Sequence, residues 1–114
     1  MKIALQHQAT KKVNNASCTV IEYPLNHEML DFAIATISGR YPDARRVVNQ
    51  QCAELGYVIE GSGKIVVNHK EYQLNAGDIV IIEPGEKYYW EGNMKLFLSC
   101  RPAWYKDQHQ VVDL

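Results

Sequence analysis

Six of the seven glycines fall between Gly56 and Gly92, and short β-rich runs lie between them. Tyr57-Val58-Ile59 is followed by Glu60-Gly61-Ser62-Gly63 and then by Lys64-Ile65-Val66-Val67. Asn68-His69-Lys70-Glu71 leads to Tyr72-Gln73-Leu74. Asn75-Ala76-Gly77 leads to Asp78-Ile79-Val80-Ile81-Ile82, which stops at Glu83-Pro84-Gly85-Glu86. Strands of about five residues, broken every ~8–12 residues by Gly, Asn and Pro, indicate an all-β sandwich or barrel. Gly supplies positive φ cheaply and Asn is next best, so hairpin turns are expected at 61–63 and at Asn68.

Earlier strands are expected at Cys18-Thr19-Val20-Ile21-Glu22-Tyr23, ending at Pro24, and at 31–37, stopping at Ser38-Gly39. The 31–37 run alternates large and small apolar residues; a helix there competes poorly with Thr36-Ile37-Ser38 and the following Gly39. A late strand, Met94 to Cys100, puts Met94, Leu96, Leu98 and Cys100 on one face and Phe97 on the other. The 114 residues make a single domain: an arm or edge strand over 1–16, a barrel over 17–100, and a strap over 101–114 anchored by Trp104.

Twelve Lys+Arg against thirteen Asp+Glu leave no basic field for nucleic acid or an anionic membrane. The longest apolar run, Ile79-Val80-Ile81-Ile82, is far short of the ~20 residues that span a bilayer. Cys18, Cys52 and Cys100 are odd in number and lack CxxC spacing, which reads as free thiols in a reducing cytoplasm. The N-terminus carries no apolar stretch of ~7–15 residues, so no secretory signal is expected.

Residues 54–92 resemble the cupin family. Glu54, six residues and Gly61 match the second half of its first motif. Gly77, five residues, Glu83-Pro84-Gly85, two residues and Tyr88 match the spacing of its second. The resemblance implies a jelly-roll β-barrel, a pocket at its mouth, and homodimers built through N-terminal strands, here the arm and strand 31–37. It also raises a divalent transition metal. The two motif-one histidine positions fall on Val48 and Gln50, or on Val47 and Asn49 with the longer spacing, and the motif-two histidine falls on Tyr88. Only Glu54 remains of the four metal-holding residues, so no metal is expected; the alternative is an atypical set of Gln50, Cys52, Glu54 and Tyr88.

The expected pocket contains Gln50, Cys52, Glu54, Tyr88 and Trp90. Glu54 buried among strands would act as a general acid or base, or it would be a structural carboxylate paired with Arg40, Arg45 or Arg46. Tyr88 is the candidate acid. Tyr88 and Trp90 share a strand face, which suits a sugar-like ligand and suits core filling equally. His69 is expected to be solvated in its turn, His27 to lie in a surface loop, and His7 and His109 to lie near disordered termini. Three readings stay open: a non-metallo cupin binding a small polar or sugar-like molecule, a sugar isomerase, epimerase or metal-dependent enzyme, and a structural or regulatory barrel.

Overall fold

A computed structural model describes residues 1–112; the last two residues of the expected strap lie outside the described residues. The strands are β1 (Thr10–Asn15), β2 (Cys18–Glu22), β3 (Ala33–Tyr41), β4 (Arg46–Asn49), β5 (Ala53–Val67), β6 (Lys70–Asn75), β7 (Ile79–Ile82), β8 (Lys87–Arg101) and β9 (His109–Val112). Two single turns of 3₁₀ helix, Gln6–Gln8 and Lys106–Gln108, complete the regular structure. All pairings are antiparallel, along the order β1-β2-β3-β8-β4-β9. Strand β5 joins β8 and also carries β6 and β7. The sheet curls into a jelly-roll barrel. Among the described residues no helix is long and apolar enough to cross a membrane.

The strands follow from β-branched and aromatic residues at alternating inward positions. Val58, Ile65, Leu74, Ile82, Met94 and Leu96 close one side of the barrel core, each at most 6% exposed. The turn at Asn68-His69 has φ of 49° and 69°, and the strands on either side pair Val67 with Lys70.

Three sequence expectations need correction. Gly61-Ser62-Gly63 is not a hairpin turn: β5 runs straight through it, with a bulge between Val58 and Glu60. Gly63 lies opposite Gly92, so close that a Cβ on Gly92 would fall 2.4 Å from the Gly63 Cα. The glycines let two long strands press together and bend at a barrel corner, which is the other use of glycine in a strand. For the same reason β3 does not stop at Ser38-Gly39. It continues to Tyr41, with Gly39 paired to Gly92. Likewise the late strand does not begin at Met94: β8 runs unbroken from Lys87 to Arg101.

Candidate functional site

A cavity of about 450 Å³ opens between β3, β8 and the C-terminal segment. Its origin is local. Strand β3 turns Ala33 and Ala35 inward, where Leu96 and Leu98 of β8 face them, and two methyl side chains leave unfilled volume. Gly56 makes room in the same way: a Cβ there would stand 3.2 Å from the Trp90 ring.

The polar wall comes from four strands. Glu54 on β5 is 6% exposed, Tyr88 on β8 is 2% exposed, and Tyr41 ends β3. His109 begins β9, directly opposite Asn49 on β4. Asn49 joins them. Its Nδ2 donates to Glu54 Oε1 at 3.4 Å and to the Tyr88 hydroxyl at 3.3 Å. Its Oδ1 accepts from Gln108 Nε2 at 3.2 Å and faces His109 Nδ1 at 2.7 Å. An amide oxygen only accepts, so His109 Nδ1 carries the proton and Nε2 keeps its lone pair. That Nε2 lies 3.4 Å from the Tyr41 hydroxyl. Gln108 Oε1 in turn accepts from the Gln51 and Cys52 amides, which holds the last 3₁₀ turn against the start of β5.

Burial sets the protonation states. It pushes the Glu54 carboxyl up to about 7, against the opposing hydrogen bonds of Asn49 and Cys100. It raises Tyr88 well above the ordinary phenol, helped by the Glu54 charge, and takes Tyr41 to about 12. It lowers His109, and Lys12 lowers it further, so the ring is neutral at physiological pH. The site therefore holds a carboxyl that is shared between its two forms near neutrality, a neutral imidazole whose Nε2 accepts from the Tyr41 hydroxyl, and two protonated phenols.

Of the expected pocket residues, the structure brings Glu54, Tyr88 and Trp90 together on the cavity wall. Tyr88 and Trp90 pack edge-to-face at 6.4 Å, and they line the cavity and belong to the core at once. Gln50 does not join them. It lies one residue past the end of β4, where strand alternation no longer applies, and its exposed amide donates to Gln110. The inward register is Val47 and Asn49, the longer motif spacing. Cys52 is fully buried behind the cavity wall. The Glu54 carboxyl meets Asn49 and the Cys100 thiol, which donates at 3.6 Å. Arg40 instead stacks on the outer Tyr89 ring at 3.6 Å and donates to the Arg45 carbonyl. His27 is exposed and its Nδ1 accepts from the Met29 and Leu30 amides.

Sequence reasoning missed Tyr41 and His109 and left Asn49 as one of two motif registers. The longer spacing already pointed to Asn49. The signal for His109 was the alternation of His109-Gln110-Val111-Val112 after Trp104, which is enough to add a strand.

The family resemblance raises a divalent metal, and the residues present do not fit a conventional centre. Among the described residues no group of three His, Cys, Asp or Glu side chains converges as a ligand set. The histidine positions hold a hydrocarbon (Val47), a neutral amide (Asn49) and a buried phenol (Tyr88), a poor donor set for a divalent transition metal.

Solved structures share the fold over the whole chain. Pac13, a nucleoside dehydratase, superposes with a TM-score of 0.88 at 15% identity, covering 100% of this chain and 92% of that one. A Streptomyces Pac13 variant solved with uridine superposes with a TM-score of 0.89 at 15% identity and the same coverage. An RmlC-like cupin from Shewanella frigidimarina gives 0.72 at 18% identity, covering 89% of this chain and 90% of that one. No curated protein matches the sequence. The family model for the cupin domain matches residues 41–97, half of the chain, and the chain belongs to the cupin family.

Proposed function

We propose that this cupin binds a small polar, sugar-like molecule in its barrel and moves protons on it with its own side chains, without a conventional metal centre. One observation carries the reading: a single buried amide, Asn49, holds both the Glu54 carboxyl and the His109 ring on the wall of one cavity. A carboxyl poised near 7 is matched to acid–base work at neutral pH. His109 Nε2 is the proton acceptor, and Glu54 is the group that returns a proton to the ligand. Tyr88 supplies a hydroxyl donor to a ligand oxygen, and Tyr41 does the same where a ligand displaces its bond to His109 Nε2, which frees that nitrogen as the base. Trp90, Leu96 and Leu98 supply the apolar wall that a sugar or base ring needs.

Removal of a proton from carbon beside a carbonyl, with a proton given to a departing hydroxyl, yields an alkene and water. Delivery of a proton to the opposite face of the same carbon gives an epimer instead. The likeness to a nucleoside dehydratase solved with uridine supports nucleosides and their oxidised sugars as first probes. The buried free thiols of Cys18, Cys52 and Cys100 support a reducing, cytoplasmic setting.

The test is a thermal-shift screen of nucleosides, sugars and sugar aldehydes, followed by deuterium exchange from solvent into any hit. A ligand that binds only the folded chain raises the melting temperature. His109→Gln and Glu54→Gln are expected to retain binding and to lose exchange by about 10²–10⁴-fold. No hit in the screen overturns the binding reading. Exchange unchanged in both variants overturns the proton-transfer reading. Stoichiometric Fe, Mn, Ni or Zn in the purified protein, lost in Glu54→Ala, overturns the metal-free reading.

A further inference from the structure

The first edge strand puts charge where its neighbours put hydrocarbon. Along the cavity wall β2 contributes Val20, β3 Ala35 and β8 Leu96, whereas β1 contributes Lys12 and Asn14. Lys12 lies directly opposite Val20, so the two side chains leave the same face of the sheet. Its Nζ stands 5.1 Å from the centre of the Trp104 ring, and Trp104 in turn packs against the His109 ring at 5.4 Å. A second ammonium, Lys106, begins the 3₁₀ turn that follows Trp104 and lines the same cavity. Two cations, an indole and an imidazole thus form one corner of the cavity mouth. The charge of Lys12 is felt at the site: burial lowers the His109 ring, and Lys12 lowers it further.

The charged groups at this corner are unequally engaged. Asp31 accepts from the Cys100 amide at 2.6 Å with one oxygen and from the Trp104 amide at 2.9 Å with the other, which fastens the C-terminal segment. Glu54 lies at the buried end, in contact with Asn49 and Cys100. Among the described residues Lys12, Lys106 and Glu22 make no ion pair; the pairs formed are Lys64 with Glu71 and Glu91, and Lys95 with Glu60. The mouth therefore offers a ligand two ammonium donors, with the carboxylates of Glu22 and Asp31 on the same wall. An inward lysine on an edge strand also hinders stray strand pairing. Lys106 sits on a helical turn, where there is no edge to protect, and it lines the same cavity.

We propose that Lys12 and Lys106 hold a carboxylate of the ligand beside the Trp104 ring, so that the ligand is a sugar acid or nucleoside acid with a single negative charge. The proposal rests on the reading of the cavity as a ligand site and extends that reading to the ligand's charge. Two ammonium donors suit one carboxylate, whose contacts with them are charge-assisted hydrogen bonds. Glu22 and Asp31 oppose the second negative charge that a phosphate monoester carries near neutral pH. A neutral sugar leaves both ammonium groups without a partner.

The experiment is calorimetric titration of the full chain with two matched series. One is glucose, glucuronate and glucose 6-phosphate; the other is uridine, uridine 5′-carboxylate and uridine 5′-monophosphate. Within the series that binds, the carboxylate should bind about tenfold more tightly than the neutral member and than the phosphate. Salt at about 1 M should shrink that preference to about threefold or less. Lys12→Met combined with Lys106→Met should bring the carboxylate to within about twofold of the neutral member. Both positions are exposed, so the barrel core is untouched. Glu22→Gln should favour the phosphate more than the carboxylate.

A neutral member that binds as tightly as the carboxylate overturns the proposal and leaves the ligand site standing. A carboxylate preference that survives the double lysine variant overturns the assignment to Lys12 and Lys106. A phosphate bound as tightly as the carboxylate, or unmoved by Glu22→Gln, overturns the single charge. No binding in either series overturns the ligand site and this proposal together. The readout is binding, so it is independent of whether Glu54 and His109 move protons.

Discussion

The two faces of one sheet do opposite things with the same strands. On the inner face, β3 contributes Ala33, Ala35 and Ile37, and β5 contributes Glu54 and Gly56. Small side chains open a cavity there, and the polar groups that enter it are held in a closed network through Asn49. On the outer face the same strands contribute Ile34, half-buried, and Tyr57, 41% exposed, both large apolar groups. The lesson concerns desolvation. The inner face buries titratable groups and so changes their protonation. The outer face exposes hydrocarbon, whose burial would drive association without altering any charge.

The contrast can be broken most forcefully at Trp90, which is 3% exposed and walls the cavity. Trp90→Ala should cost about 3–5 kcal/mol of stability, read from urea denaturation. A loss near zero would mean that the inner face is as loosely packed as the outer one.

The next effect is a pH dependence. Glu54 is raised from the ordinary 4.5 to about 7. Between those values the folded chain holds the proton while the unfolded chain releases it. The stability that Glu54 contributes is therefore full below pH 4.5, falls as pH rises through 7, and levels above it. The whole fall is about 3 kcal/mol. Unfolding measured from pH 4.5 to 8 should show it, and Glu54→Gln, which keeps an amide acceptor for Asn49, should flatten the curve over that window.

Asn49, 1% exposed, comes third. Asn49→Leu keeps its bulk and strips the partners from Glu54, Tyr88, Gln108 and His109. It should destabilise by about 2 kcal/mol or more. It should also free the His109 tautomer, visible in the nitrogen shifts of the imidazole. A fixed tautomer in the variant would show that something other than Asn49 holds the ring.

The smallest effect belongs to the outer face. Ile81→Ser, at a position 59% exposed, should change stability by no more than about 0.5 kcal/mol. A larger loss would show that Ile81 already packs within the monomer.

Much of the barrel was legible in the residues. The punctuation by Gly77, Pro84 and Asn68, and the alternation through Met94 to Cys100, place strands where they lie, because turn chemistry and side-chain period are local properties. Gly61, Gly63 and Gly92 misled for a physical reason. Glycine permits a tight turn and permits close approach of two backbones, and only the partner strand decides between the two. The spacing of Glu54 and Tyr88 was enough to pick out two residues that line the cavity. Gln50 was misplaced because β4 ends at Asn49, and one residue past a strand end the period of two no longer says where a side chain points.

The order of strands and turns, the small inward residues of β3 and the apolar run of β7 were determined by the sequence alone, through preferences that act within a few residues. The company each side chain keeps was decided only by tertiary structure. His109 lies 60 positions from Asn49 in the chain, and nothing near either residue announces their 2.7 Å contact. The near-neutral carboxyl of Glu54 has the same origin. Desolvation depends on everything packed around a group, and that packing exists only once the barrel has closed.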